Sequence, residues 1–430
     1  MSSTYTPPQI RRNYRLLVWE GILFTVGMVF VDPNTVLPLL MERLTGSALL
    51  VGLVGAVQPL AKGVAPVLAG NWISGLPRKK TFLVAMMSAG RLPLWVLGLS
   101  LIWVPAAPAW FWAGLLLLVQ MLFWFGDSAG DPAWMDMVGK AVPAGRRGRF
   151  FATRQVVGGL LSVAAGAAVA ALLGLESVRF PVTYGLVITI GALLYLANIG
   201  TFVGLVEHPS ETSGRLRLGA LVRALPGYLR ANGTFGRMMV VLVLANMSRL
   251  VLPFYIVFAA RVFGLGEGAL AVFIPAQMVG RIAGAIVWGH VGDRHGHHRA
   301  VQLAAVARAT PPLIALATAF LPTDAPALAL FAALFLVLGF ALEGWPPFIN
   351  YMLDIVPEPQ RPLYAGLMGL GSVPATLAPI AGGLLIGLWG YHGVFGLTAA
   401  VTVSAFVVAL ALPKAAADPV ASAEESAHNP

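Results

Sequence analysis

The chain has 430 residues, of which 58% are hydrophobic and 11% are charged, and its mean hydropathy is +0.81. So little polar surface cannot cover a water-soluble protein of this size, and the composition therefore indicates an integral membrane protein. The formal net charge is +10, but the basic residues are spread over many short loops, so we expect no nucleic-acid binding. The absence of cysteine excludes disulfides, thiolate metal sites and cysteine nucleophiles.

Apolar stretches long enough to cross a bilayer as helices, about 20 residues each, follow one another along the chain. We predict twelve spans, at 16–40, 47–70, 81–103, 110–139, 152–174, 181–206, 237–261, 268–290, 299–321, 327–355, 364–388 and 391–412. They are too long and too uniformly apolar for the strands of a membrane barrel. The first stretch is about twice as long as the core of a signal peptide, so we interpret it as a transmembrane helix.

The two halves of the chain repeat one pattern. Gly130 and Pro132 recur at a constant offset as Gly344 and Pro346. Such weak internal symmetry is typical of a duplicated membrane domain, and in secondary transporters the substrate site lies where the repeats face each other. The sequence therefore predicts an all-α polytopic protein with two pseudo-symmetric six-helix bundles.

Basic residues indicate how these helices are oriented. Most of the 28 lysines and arginines fall in loops on the side of the amino terminus, and basic loops remain in the cytoplasm. We therefore expect both termini in the cytoplasm and a monomer surrounded by membrane lipids. The predicted domains are a bundle at 1–206, a cytoplasmic central loop at 207–236, a second bundle at 237–412 and a disordered cytoplasmic tail at 413–430.

One loop motif lies between the eighth and ninth predicted spans. The segment from Gly289 to Gly296, which contains Asp293 and Arg294, resembles the G-x-x-x-D-R-x-G signature of the major facilitator superfamily, whereas the matching loop of the first half lacks the acid. The resemblance covers the whole chain and implies a transporter that rocks one bundle against the other. A carboxylate at a helix end can bind a helix dipole or an arginine in one conformation only, so these four residues form a predicted cytoplasmic gate. The alternative is a tight polar turn.

Three further residues are candidates for the same gate. Asp136 and Lys140 lie four residues apart in the favourable acid-first order, so we expect them to pair, either as part of a gate or as a simple surface bridge. Arg154 begins the fifth predicted span, where it can pair with the acids of the fourth span.

Glycine and proline interruptions at matching positions of two halves indicate the cavity of a transporter, and we expect such kinks at Pro132 and Pro346. The resemblance implies that spans 1, 2, 7 and 8 line or flank the cavity. The predicted cavity residues are Asn34, Gln58, Lys62, Trp124, Trp134, Arg249, Gln277, Arg281, Trp345 and Asn350. The tryptophans could equally be packing residues. Bases within spans require an acid, water or an anionic ligand as partner, which favours an anionic or zwitterionic substrate.

Carboxylates within the spans are candidates for proton coupling. Asp127 and Asp131 lie one helical turn apart and repel each other when both are ionised, so one of them can load and release a proton. Asp32 and Glu343 are further candidates. By contrast, Arg91 and Arg308 fall on spans 3 and 9, which the resemblance places at the periphery, and a structural role is expected for them.

These observations predict a proton-coupled secondary transporter of a small organic solute. A facilitative uniporter and a non-transporting sensor of the same fold remain open. A membrane enzyme would need a nucleophile–base pair or a metal constellation, and the sequence shows neither. It also lacks the glycine-rich loop ending in Gly-Lys-Ser/Thr that binds ATP phosphates. We expect no cofactor and no metal site, since the histidines near Asp293 have no other carboxylate in their loop.

Overall fold

The computed structural model describes residues 5–73, 75–142, 146–209, 227, 232–265, 267–318, 326–357, 364, 367–369 and 371–414. Within these ranges the regular secondary structure is helical and no strand occurs. The prediction of an all-α protein is therefore confirmed. Most of the predicted central loop and nearly all of the predicted disordered tail lie outside the described residues.

The first half of the chain forms helices α1 to α8, with bounds Pro7–Phe30, Val36–Thr45, Ala48–Ile73, Lys80–Arg91, Pro93–Trp103, Ala109–Ala141, Arg147–Leu173 and Val182–Val203. The second half forms helices α9 to α15, with bounds Gly233–Asn246, Phe254–Phe263, Leu270–His295, His297–Ala317, Ala327–Leu342, Pro346–Ile355 and Ala378–Leu410.

Ten helical segments in the described part of the chain are long and apolar enough to cross a membrane. Helix α1 is not among them; it carries Arg11, Arg12, Arg15 and Glu20. The segment from Leu367 to Leu410 counts once although it has 44 residues. That is about twice the 20 or so residues that one transmembrane helix needs.

The same packing pattern occurs in both halves. In the first half α3 packs against α6 and α1 packs against α7 and α8. In the second half α11 packs against α13 and α9 packs against α15. The halves meet mainly along two helix pairs, α3 with α15 and α7 with α11, and α10 also contacts α2 and α3.

Two helix breaks occur at corresponding places of the halves. Residues 31–35 separate α1 from α2, and there Asp32 Oδ1 accepts hydrogen bonds from Asn34 N at 2.8 Å and Thr35 Oγ1 at 3.0 Å. The short 3-10 helix Met247–Leu250 separates α9 from α10. In transporters such interrupted helices expose backbone groups only where they line a cavity or lie within protein.

The predicted kinks in spans 4 and 10 differ from each other. Helix α6 continues through Pro132 to Ala141. The other half has a true break at Glu343–Trp345, after which Pro346 is the first residue of α14. Proline is well suited to that first helical position, where its missing N–H is not needed.

The two ends of the bundle differ in how the halves contact each other. We call the end that holds Asn13, Lys79 and Lys140 the terminal end, and the end that holds Glu42 and Arg261 the far end. At the far end Arg261 bonds to the carboxylate of Glu42 and, from Nη2, to the carbonyl oxygen of Gly46 at 2.7 Å. These bonds join the first half to the second.

Close backbone packing reinforces this contact at the far end. A Cβ on Gly52 would lie 2.3 Å from the carbonyl oxygen of Pro379, and one on Gly383 would lie 2.4 Å from that of Ala48. Only glycine permits such an approach of two helix backbones. The halves are therefore in close contact at the far end.

Candidate functional site

A cavity of about 300 Å³ lies between the two halves. This volume is at the lower end of the range for small-molecule sites, about 300–1,000 Å³. From the first half it is lined by Phe24, Met28, Asp32, Pro33, Asn34, Gln58, Lys62 and Trp124. From the second half it is lined by Ser248, Arg249, Leu252, Tyr255, Arg281, Arg308, Pro311, Leu338, Ala341 and Leu342.

Both helix breaks contribute directly to this cavity. The break after α1 supplies Asp32 and Asn34, which are buried, and the break after α9 supplies Arg249. Asp-Pro-Asn is a turn-forming sequence, because proline lacks an N–H and the Asp32 side chain bonds to the backbone of the turn. The two breaks thereby contribute one acid and one base, from different halves, to the wall of the same cavity.

Arg281 bonds to Glu343 of its own half and lines the same cavity as Asp32 of the other half. Its Nη1 donates to Glu343 Oε1 at 3.3 Å, and its charge also acts on Asp32. Its Nε is buried without a hydrogen-bond partner among the described residues. This guanidinium therefore makes one long hydrogen bond and has an N–H donor available to a ligand.

Arg249 and Arg308 form the most basic part of the cavity wall. Within the described part of the chain Arg249 has no hydrogen bond or ion pair, and Arg308 Nη1 donates at 2.5 Å to the neutral amide oxygen of Asn246. The ring of Phe348 lies under the Arg308 guanidinium, 5.8 Å from its Cζ. Both arginines line the same cavity, where their like charges disfavour each other. An unpaired cation in a membrane span costs roughly 3 kcal/mol or more.

Lys62 completes the set of cations on the opposite wall. Its Nζ lies 5.4 Å from the ring centre of Trp124, within range of a cation–π contact. Trp124 is buried and helps line the cavity. This wall therefore combines a positive charge with a large aromatic face.

Four predicted cavity residues lie elsewhere in the structure. Trp134 donates from Nε1 to Glu20 Oε2 at 3.1 Å. Gln277 is buried where α11 packs against Gly339 of α13, and its Nε2 has no partner among the described residues. Trp345 precedes α14 and Asn350 lies within it, and both are half-buried.

The coupling candidates Asp127 and Asp131 have different surroundings. Asp127 is buried and accepts a hydrogen bond at 2.9 Å from Arg91, which lies in the same half. Asp131 is exposed and has no hydrogen bond or ion pair among the described residues. Neither lines the cavity, whereas Asp32 does and Glu343 bonds to a residue that does.

Arg154 pairs with an acid that is not in the fourth span. Its Nη2 donates to Glu20 Oε2 at 2.8 Å, and its guanidinium lies over the ring of Trp134 at 4.8 Å. The pair is nearly buried within the first half. It connects α1 to α7.

In this conformation the charged residues of the predicted second-half gate make no polar contacts within the described part of the chain. Asp293 and Arg294 are exposed and make no hydrogen bond or ion pair among the described residues. Gly289 has open space beside it, and Gly296 has a φ of +85° between α11 and α12. Positive φ favours glycine at this position, where the chain passes from α11 to α12.

The first half has an ion-pair network at the terminal end. Asp136 bonds to Lys140, as its spacing predicts, and also to Lys79 at 2.9 Å. Glu207 accepts hydrogen bonds from the backbone N–H groups of Lys79 and Lys80 at 2.7 and 2.8 Å. A carboxylate at a helix amino terminus stabilises the helix dipole. The loop between α3 and α4, which corresponds to the motif at 289–296, has no acid of its own, and Glu207 supplies a carboxylate at this place in the first half.

Sequence reasoning missed several cavity residues. The expectation that Arg308 lies at the periphery is wrong, because its side chain reaches the cavity from α12. Its position within a predicted span was the available signal, since buried bases need partners. Ser248 and Tyr255 also line the cavity, and no sequence pattern singled them out.

The histidines of the terminal end do not gather around a metal-like site. His297 Nδ1 lies 2.6 Å from Asp354 Oδ2. Within the described residues no group of three or more histidine, aspartate or glutamate side chains could hold a metal ion.

Comparison with protein-family models and with solved structures finds similarity to membrane transporters. The model of the Major Facilitator Superfamily matches residues 238–430. No curated protein matches the chain in sequence.

Solved structures match nearly the whole chain. A mutant of the nucleoside transporter NupG has a TM-score of 0.69 at 15% identity, covering 94% of this chain and 100% of that one. A bacterial homologue of the iron transporter ferroportin, in an inward-facing state, gives 0.70 at 15%, with coverages of 93% and 98%. A D-xylose–proton symporter gives 0.66 at 14%, with coverages of 95% and 98%. At these identities the likeness shows that the chain has the fold of these transporters. The family model supports the same assignment for the second half of the chain, and the subfamily is unresolved.

Proposed function

We propose that this protein is a secondary transporter that moves a small organic solute across the membrane by alternating access. The observation that carries the proposal is the charged cavity between the halves, lined from both sides by interrupted helices. Midway binding sites at the interface of repeats are typical of secondary transporters. The family match and the transporter neighbours support the same function.

The arrangement that fits this function has twelve spans in two six-helix bundles. Helices α1 and α2 together supply a first span despite their charges, and the segment Leu367–Leu410 supplies two. Within that segment Gly390 has a φ of +68°, which interrupts α15 near its middle. The matched packing of the two halves supports the boundaries predicted from the sequence.

The direction of the cavity follows from its contacts. Because the far end is sealed by Glu42, Arg261 and the glycine contacts, access is from the terminal end. The basic loops at that end support a cytoplasmic location for it and for both termini. The conformation is then inward-facing, which agrees with a free Asp293 if the predicted gate closes only in the other state.

Asp32 and Glu343 are the proposed proton-coupling groups. Both act on Arg281, one from each half. A proton on either carboxylate removes a negative charge near Arg281. Protonation of Glu343 also weakens its bond to the guanidinium, which leaves Arg281 available to an anionic solute. Charge balance would then make the proton and the anion bind together, which is the requirement for symport. Asp131 remains a candidate at the exposed face of α6, and Asp127 is weaker because Arg91 holds it.

The test of alternating access uses a natural property of the chain. Because it contains no cysteine, a single Ser248→Cys substitution in the cavity gives one reactive thiol without background. In oriented proteoliposomes, a membrane-impermeant maleimide should label it from the terminal side and, more slowly, from the far side. Labelling from one side only would contradict alternating access and favour a fixed sensor.

Uptake distinguishes the remaining alternatives. Radiolabelled organic anions, cations and sugars are offered to proteoliposomes with and without a pH gradient. Concentrative uptake that follows the proton gradient supports coupling, equilibration without concentration supports a uniporter, and binding without uptake supports a sensor. Protein-free liposomes and an Asp32→Asn, Glu343→Gln variant are the controls.

A further inference from the structure

The cavity has a large excess of positive charge. Lys62, Arg249, Arg281 and Arg308 line it, whereas Asp32 is the only acid among its lining residues that the structure describes. Glu343 neutralises Arg281 in part. Two or more cationic charges therefore remain without an acidic partner in the described part of the chain.

The unpaired charges are concentrated at Arg249 and Arg308. Arg249 has no polar partner within the described residues, and the single hydrogen bond of Arg308 is to the neutral Asn246. Both arginines line the same cavity, so a ligand that contacts both is held best when it carries two negative charges, or one group with charge close to two.

Guanidinium groups select the geometry of such a ligand. Each presents a rigid fork of N–H donors that fits the oxygens of a phosphate or carboxylate. A monosubstituted phosphate has three acceptor oxygens and a charge of about −1.5 to −2 at neutral pH, enough to satisfy both forks. A single carboxylate supplies half of that charge.

The rest of the cavity wall is aromatic and apolar. Trp124 and Phe24 face it from the first half, and Tyr255 and Leu338 face it from the second. Trp124 and Tyr255 are both buried, so their surfaces are held in place. Such walls bind an apolar or aromatic body rather than a free inorganic ion.

We propose that the cavity binds a small organic phosphate, with the phosphate between Arg249 and Arg308 and its apolar or aromatic body against Trp124. The inference deepens the proposed function and rests on it for the role of this ligand as a transported substrate. Binding itself does not require transport, so the two ideas can fail separately.

Equilibrium binding to the purified full-length protein tests the proposal. The probe is radiolabelled phenyl phosphate, with benzoate, phenol and inorganic phosphate as competitors. We expect saturable binding, competition by benzoate and inorganic phosphate at least about tenfold weaker than by unlabelled phenyl phosphate, and none by phenol. If inorganic phosphate competed equally well, the proposal that the cavity binds the organic body of the ligand would be wrong. If benzoate competed equally well, the proposal that the bound group carries about two negative charges would be wrong.

Variants connect the binding to the two arginines. Arg249→Gln and Arg308→Gln should each weaken phenyl phosphate binding at least about tenfold, while Arg179→Gln, at an exposed position between α7 and α8, leaves it unchanged. Arg249→Lys keeps the charge without the fork and should give an intermediate loss. Ligand-free Arg249→Gln should melt at the same temperature as the parent or higher, because it removes an unpaired cation.

Two results overturn the inference directly. One is undetectable binding of phenyl phosphate to folded parent protein, and the other is unchanged binding in both arginine-to-glutamine variants. Binding that depends on both arginines, but without uptake into proteoliposomes, would support this site and contradict the transport function.

Discussion

Arg91 Nη2 donates to Asp127 Oδ1 at 2.9 Å, and both side chains are buried inside the first half. Arg91 also bonds through Nη1 to Asn198, whose Nδ2 donates at 2.7 Å to the backbone oxygen of Glu20. The network joins α1, α4, α6 and α8. Asp127 therefore has a structural partner, in addition to the coupling role predicted from its spacing to Asp131.

The first prediction is that Asp127→Asn destabilises the fold. It leaves the buried charge of Arg91 without a counterion, and breaking a buried ion pair in this way costs about 3–5 kcal/mol. Asp131→Asn, one turn away at an exposed position, should change stability by less than about 0.5 kcal/mol. Denaturation in detergent measures both, and equal losses would contradict the assignment. Transport by Asp127→Asn is informative about coupling only in protein shown to be folded.

The sequence predicted the helices of this protein well. Long apolar stretches must form helices in a bilayer, because every backbone group there needs an internal partner. The same rule singled out Lys62, Arg249 and Arg281, since a charge within a span needs a partner or a polar cavity. All three line the cavity.

The details of the site could not be predicted in the same way. Spacing along a helix indicates which residues share a face, but it does not say which neighbouring helix that face meets. Asp127 meets Arg91 inside its own half, and Arg308 reaches the cavity from a helix expected at the periphery. The break at Asp32 was hidden within an apolar stretch long enough to be read as one span. These contacts depend on tertiary packing.

The second prediction is that Glu343→Gln tightens anion binding and reduces its pH dependence. The substitution imitates the protonated acid and releases Arg281, to which Glu343 Oε1 lies at 3.3 Å. Unit charges about 4 Å apart near a protein surface interact by roughly 4 kcal/mol, so a tenfold gain in affinity, ~1.4 kcal/mol, is a modest expectation. Phenyl phosphate binding between acidic and alkaline pH measures it. An unchanged pH profile would exclude Glu343 from coupling.

The third prediction is that Gly52→Ala opens the far end. The added Cβ would lie 2.3 Å from the carbonyl oxygen of Pro379 in the other half, so the halves must separate there. A Ser248→Cys reporter in the cavity should then react faster with an impermeant maleimide from the far side. Gly63→Ala in the same helix has no atom within 4 Å of the new Cβ and is the matched control. Equal labelling of the two variants would show that this contact does not seal the cavity.

The last prediction concerns the pair between Arg154 and Glu20. A Cβ on Gly21 would lie 1.7 Å from Arg154 Nε, so Gly21→Ala must displace the guanidinium from its position beside Glu20. Loss of one partner of a buried pair destabilises by about 3–5 kcal/mol. Gly200→Ala has open space around the new Cβ and should be neutral or slightly stabilising, by up to about 1 kcal/mol.

A double-variant cycle separates this mechanism from a simple steric clash. If Gly21→Ala acts by breaking the ion pair, adding Glu20→Gln should cost little more stability. The interaction is then already lost, and the second substitution removes the carboxylate that was left unpaired. If Gly21→Ala only strains the backbone of α1, the two losses of stability should add. Thermal unfolding of the parent, both single variants and the double variant distinguishes these results. Additive losses would show that Arg154 can keep Glu20 as its partner from another position.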